Sequence, residues 1–158
     1  MGTVVKSGIL LGVLVEIWTA VVILAGWHKD PAMILVFFLV IPLQITILLM
    51  TLRQTAVEAS YGQQVVNGVL ISAIGAVIIV IGTYIITTSV FPHYFDELRA
   101  AGVDSLTKAG RTPEQVATEM RTNESMYDPK QNALTGGVAT VVTGLLVSLV
   151  AAFFVRKR

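Results

Sequence analysis

An acid in the middle of an apolar run is where this chain could do chemistry. Between Val4 and Trp27 the only ionisable residues are Lys6 and Glu16. Glu16 falls near the centre of that run, where a charge costs on the order of 2.5 to 3.5 kcal/mol even on a lenient insertion scale. No basic residue lies at mid-depth in any other apolar run. Desolvation then favours the neutral acid, hydrogen-bonded to hydroxyl or amide groups. Counting inward from the end that carries Lys6, Thr140 and Thr143 fall at similar depth, with Gln44 about a turn nearer that end. Two chemistries fit. Glu16, Gln44, Thr140 and Thr143 could form a proton or cation site, or Glu16 could be a protonated acid that joins helices.

The other candidates are weaker. His28, His93, Asp96 and Glu97 carry metal-capable atoms, and His93 is spaced one helical turn from Asp96 and Glu97. A metal centre needs three or four converging ligands, His28 belongs to a separate stretch, and interfacial histidine beside acids is ordinarily solvated. No metal ligand is assigned. The absence of cysteine removes disulfides, thiolate nucleophiles and cysteine-bound zinc. Nucleophilic catalysis needs an activated side chain beside a base, and paired-carboxylate hydrolysis needs two acids in one pocket. No motif supplies either, and the glycine-rich places follow no strand, so they are not phosphate loops. The expectation is a protein without enzymatic activity, catalytic residues or cofactor.

The elements that position these residues follow from composition. The 158 residues are 54% hydrophobic and 13% charged, with a mean hydropathy of +0.77, whereas a soluble domain carries about 25% charged residues. A net charge of +1 gives no basic field for nucleic acid. The expected fold is all-α: one polytopic membrane domain over residues 1–158. Transmembrane helices are expected at 4–27, 32–52, 68–91 and 134–155, each near the ~20 residues that cross hydrocarbon. A long, partly helical extracytoplasmic loop, 92–133, separates the third from the fourth. The first run is too long, and too polar at Glu16, for a cleaved signal peptide. Pro42 should kink the second helix, and Arg53 to Asn67 should form a return loop with some helix.

The long loop holds seven of the ten acids and five bases, so it faces water. Thr112-Pro113-Glu114-Gln115 reads as a capped helix start. That helix should reach about Tyr127, with Val116 and Met120 as a thin apolar stripe. A shorter helix is expected over His93 to Ala101, ended by Gly102.

Small residues recur every fourth position in three of the spans. Gly8, Gly12, Glu16 and Ala20 do so in the first, Gly68, Ser72 and Ala76 in the third, and Gly136, Thr140, Gly144, Ser148 and Ala152 in the fourth. Residues four apart share one side of a helix, and small ones let helix backbones meet closely in lipid. A period of four drifts around a helix of 3.6 residues per turn, which favours crossing over parallel alignment. The third and fourth helices should therefore cross closely, with Glu16 turned into the bundle.

Four spans put both ends on one side. Lys6, Arg53, Arg156, Lys157 and Arg158 lie there against Glu58, opposite the acidic loop with Lys29 and Asp30. Orientation follows Lys and Arg beside short segments, so both termini are expected in the cytoplasm.

Ser7-Gly8-Ile9-Leu10-Leu11-Gly12, Tyr61 to Gly68, Phe91-Pro92, Thr112 to Val116, Tyr127-Asp128-Pro129 and the last helix ending Arg156-Lys157-Arg158 together form a pattern. In it the chain resembles, over nearly its whole length, the bacterial membrane proteins grouped as domain of unknown function 4199 (DUF4199). The resemblance implies four helices with a long acidic segment before the last, and it implies no activity. The function expected is a small, non-enzymatic accessory or scaffolding subunit of the bacterial inner membrane. The alternative is a proton- or cation-coupled transporter or channel using Glu16. The lipid bilayer is the first partner, and the small-residue faces admit a homodimer or another membrane protein.

Overall fold

The computed structural model describes residues 2–30, 33–56 and 59–155, with Ile34 in its backbone only. Among these residues every regular element is helical. Four stretches are long and apolar enough to cross a membrane: Gly2–Leu24, Leu35–Thr55, Tyr61–Val90 and Pro129–Val155. Helix α1 (Gly2–Leu24) is the first, and α2 (Ile34–Phe37) with α3 (Val40–Thr55) makes the second. Helix α4 (Tyr61–Ile85) continues through a π-helical turn, Ile86–Val90, to make the third. Then come α5 (Tyr94–Lys108) and α6 (Pro113–Thr122), and α7 (Pro129–Val155) is the fourth span.

Several boundaries differ from the sequence expectation, each for a local reason. The return loop is much shorter than 53–67, because Ser60 and Gln63 form a reciprocal capping box that starts α4 at Tyr61. Helix α7 starts at Pro129 instead of 134, where the Asp128 side chain accepts from the Gln131 N–H at 2.7 Å. The second span breaks at Phe38 and Leu39, before Pro42. Proline has no N–H for the carbonyl four residues back, which is that of Phe38, and Ile41 donates to that carbonyl instead at 3.0 Å. Pro42 thus sits in the first turn of α3, where its missing donor matters least.

Helix α5 runs on to Lys108, and the glycine beyond its end is Gly110, at φ +78°. Gly102 lies inside α5, where a Cβ would stand 2.7 Å from Tyr127 Oη. Thr112 and Gln115 form the expected capping box, but α6 ends at Thr122 and a 3-10 turn covers Glu124–Tyr127. The expected start of the second span, residue 32, lies outside the described residues, as do Glu58 and Arg156 to Arg158.

Helix α4 is the middle of the bundle. On one side it meets α1 in parallel: a Cβ at Gly8 would lie 2.7 Å from Ile74 Cβ, and one at Gly12 would lie 2.6 Å from Ile78 Cβ. On the other side it meets α7 running the opposite way. A Cβ at Gly68 would lie 2.6 Å from Ser148 Cβ, one at Gly144 would collide with Ser72, and one at Gly137 would lie 2.5 Å from Val80 Cγ2. In each contact a glycine backbone takes the side chain of the facing helix directly against it, the close packing that associates helices in lipid.

The α7 stripe follows the predicted row only over its second half. Gly144, Ser148 and Ala152 are buried. Gly136 and Thr140 are half-buried, and Ala133 and Gly137 take their place in the contact. The physical reason is drift: four residues turn ~400° at 3.6 per turn, so a strict row leaves a straight interface after two turns. Gly68, Ser72 and Ala76 of α4 are all buried.

Helix α3 contains no glycine and joins the others by a different means. Gln44 Nε2 donates to the Thr140 carbonyl at 2.7 Å and to Ser72 Oγ at 3.3 Å. Thr51 donates to Ser7 Oγ at 2.8 Å, and Thr55 to Gln64 Oε1 at 3.1 Å. Around these bonds Ile47 and Leu48 pack into the core shared with Val4, Leu11, Val15, Ile71 and Ile79, and Leu52 is buried too. Pairing runs Gln44 to Ser72 and Thr55 to Gln64, so α3 is antiparallel to α4. It therefore runs in the same direction as α7.

Candidate functional site

Glu16 is buried on the face of α1 that meets α4. Thr83 Oγ1 donates to its Oε1 at 2.9 Å. Its second oxygen, Oε2, is buried with no hydrogen-bond partner among the described residues. Gly82 makes the room: a Cβ there would stand 2.7 Å from both Cγ and Cδ of Glu16. The next two turns of α4 are rich in hydroxyls. Thr87, also buried, donates to the Thr83 carbonyl at 2.7 Å, and the π-helical turn begins at Ile86. Such turns are rare and are often found at functional places. A carboxyl with one satisfied and one unsatisfied oxygen, in a polar corner of an apolar interface, can hold or exchange a proton or accept a cation.

The residues expected beside Glu16 form a separate node. Gln44 is buried and joins α3 to Ser72 of α4 and to the carbonyl of Thr140 on α7. The Thr140 hydroxyl donates to the Gly136 carbonyl at 2.9 Å, and Thr143 is half-buried on the same helix. Ser72 and Thr83 are eleven residues apart on α4, about 16 Å along its axis. The structure thus does not group Gln44, Thr140 and Thr143 with Glu16. The depth estimate counted each span from its terminus-bearing end, but Gly8 of α1 faces Ile74 while Ser148 of α7 faces Gly68, so equal counts in α1 and α7 fall at different levels of α4.

A third polar cluster ties the outer helices to the bundle. Glu97 of α5 receives Lys29 Nζ on Oε1 at 2.8 Å and His28 Nε2 on Oε2 at 3.0 Å. The His28 side chain is 3% exposed and its ring lies 5.0 Å from that of Tyr94. The hydrogen bond from Lys29, followed by that from His28, holds the Glu97 carboxyl below the usual carboxylate range. Farther out, Arg99 pairs with Glu124 at 2.9 Å and lies over the Tyr127 ring. Met120, buried with Val116, faces Gly102, so α6 rests on α5. His93 and Asp96 form an exposed pair 3.9 Å apart. Among the described residues no three His, Asp or Glu side chains could hold a metal ion together.

Residues 6–157 match the family described as Protein of unknown function (DUF4199). The chain belongs to that family. No curated protein and no solved structure matches it.

Two residues of this DUF4199 chain escaped sequence reasoning at the Glu16 site, Thr83 and Gly82. The register that finds them is structural: with Gly8 at Ile74 and Gly12 at Ile78 in parallel helices, one more turn brings Glu16 to Gly82. The Glu97 contact to His28 spans 69 residues, and nothing local announces it.

The cap contact is pH-sensitive with a defined sign. Because folding lowers the Glu97 value, its contribution is present above the ordinary carboxylate pKa of about 4.3 and is lost as pH falls through the lowered folded value. Protection of the α5 amides, taken relative to the intrinsic exchange rate at each pH, is expected to fall over that acid range in the wild type. In Glu97→Gln protection should already be lower at neutral pH, by about five-fold for a half-exposed pair, and should fall less in acid than in the wild type. An acid response as large in Glu97→Gln as in wild type would contradict the assignment.

Proposed function

We propose that this protein is a non-enzymatic accessory or scaffolding subunit of a bacterial inner membrane, with both termini in the cytoplasm and α5 and α6 on the outer side. One observation carries the reading: Glu97 grips two consecutive residues, His28 and Lys29, of the turn between the first two spans. That contact fixes α5 on the bundle, and the Met120 and Tyr127 contacts at Gly102 fix α6 and the 3-10 turn on α5. The cap is then a rigid surface and not a tether. Within the spans, Gln44, Thr51 and Thr55 bond neighbouring helices, so these polar groups serve assembly. The outer face of α5 offers a shallow, charged depression of about 560 Å³ around Asp96, Arg99, Val103 and Asp104. Orientation rests on Lys6, Arg53 and the Arg156-Lys157-Arg158 that follows the last span in sequence, all flanking span ends that an even number of crossings puts on one side.

A second reading is supported by the free Oε2 of Glu16. An intramembrane acid with an unsatisfied oxygen can bind a proton or cation, and the protein would then be a small coupled transporter or channel.

The two readings separate experimentally. A photo-crosslinker at Val103 in intact cells should give one discrete heterologous adduct that Glu97→Ala diminishes several-fold; the absence of any adduct, or a continuous smear unchanged by Glu97→Ala, would count against a presenting scaffold. In proteoliposomes the transporter reading requires proton- or cation-coupled flux that Glu16→Gln lowers at least ten-fold, about 1.4 kcal/mol in barrier. Flux unchanged by that substitution, or no flux in the wild type, removes the reading.

A further inference from the structure

A slot runs lengthwise between α3 and α7 at the end of the bundle that carries the chain termini, with a volume of about 730 Å³. Ile45, Leu49 and Arg53 line it from α3, and Leu146, Val150 and Phe154 from α7. Each trio recurs every fourth residue, so each forms a row about 12 Å long on one helix side. Because the two helices run in the same direction, the rows lie side by side. The slot is apolar along its length and has a guanidinium at its end. Arg53 is exposed, and its guanidinium makes no ion pair or hydrogen bond among the described residues.

We propose that this slot binds one anionic phospholipid, with an acyl chain along the rows and the phosphate on Arg53. The proposal requires that the bundle span a bilayer and rests on the proposed cytoplasmic placement of the termini, but is independent of the accessory role. The shape matches an extended chain, and Arg53 stands in the last turn of its span, at the level of lipid phosphates. Guanidinium binds phosphate oxygens in a bidentate manner, and basic pockets between helices on the cytoplasmic side suit acidic head groups. Val155 also lines the slot, and the chain continues from it into Arg156-Lys157-Arg158. A zwitterionic lipid would bring its own ammonium to this basic end. A second copy fits poorly, since a two-fold axis along the membrane normal would set Arg53 of both copies at one depth.

The test uses the full chain in a neutral detergent, with thermal unfolding measured after adding phosphatidylglycerol, phosphatidylcholine at the same mole fraction, or inorganic phosphate. Phosphatidylglycerol should raise the midpoint by about 4 °C more than phosphatidylcholine at roughly ten-fold excess over its dissociation constant. Arg53→Gln should abolish that difference. Val150→Trp, which fills the slot and leaves Arg53 in place, should abolish it too and carries the test if Arg53→Gln does not fold. Equal effects of the two lipids, retention of the difference in either variant, or the same rise from inorganic phosphate overturns the proposal. So does disulfide crosslinking between copies through Leu49→Cys at low protein density in the bilayer.

Discussion

Two helix backbones can pass this closely only where no side chain intervenes, and α4 meets that condition on two sides at once. Toward α1 the space is made by Gly8, Gly12, Gly75 and Gly82; toward α7 by Gly68, Gly137 and Gly144. In lipid no hydrophobic force draws helices together, so van der Waals contact of this kind carries the association. Hydrogen bonds between spans average about 0.6 kcal/mol each. The few that α3 makes therefore fix its rotation and depth more than they hold it. Helix α4 is the keystone because it presents small residues on opposing sides.

The polar groups occupy positions left by that packing. Glu16 can lie in the α1 and α4 interface because residue 82 has no side chain, and Thr83 comes to it because the helices run in parallel. Gln44 reaches Ser72 where Ser72 in turn packs against Gly144. At the end opposite the termini, the turn after α1 is placed by the same α1 and α4 contact. That brings His28 and Lys29 to Glu97 of α5, three residues past the start of the helix that follows α4. Bundle and cap thus share one register, set by glycine.

Hydropathy alone made the four spans legible, because roughly twenty apolar residues are hard to mistake. The Thr112 and Gln115 cap was legible for the same kind of reason, being local. The partner of Glu16 was not. It depends on where α4 begins, and Tyr61 to Asn67 is polar enough to pass for loop although Ser60 and Gln63 cap it. Gly136 was chosen over Gly137 because the row of four is visible in sequence, while drift appears only over a long interface. The second-span break was displaced from Pro42 because the carbonyl that loses its donor lies four residues earlier. The Glu97 contacts link segments far apart in the chain, and no period or spacing encodes them.

Magic-angle-spinning NMR in lipid bilayers, on protein carrying ¹³C in glutamate and glycine, reads the central contact directly. If α1 and α4 meet through their smallest residues with the acid turned inward, the Glu16 carboxyl carbon and Gly82 Cα give a cross-peak at short mixing time. A Glu16 carboxyl that correlates with acyl chains and shows no contact to Gly82 would contradict this arrangement of the bundle.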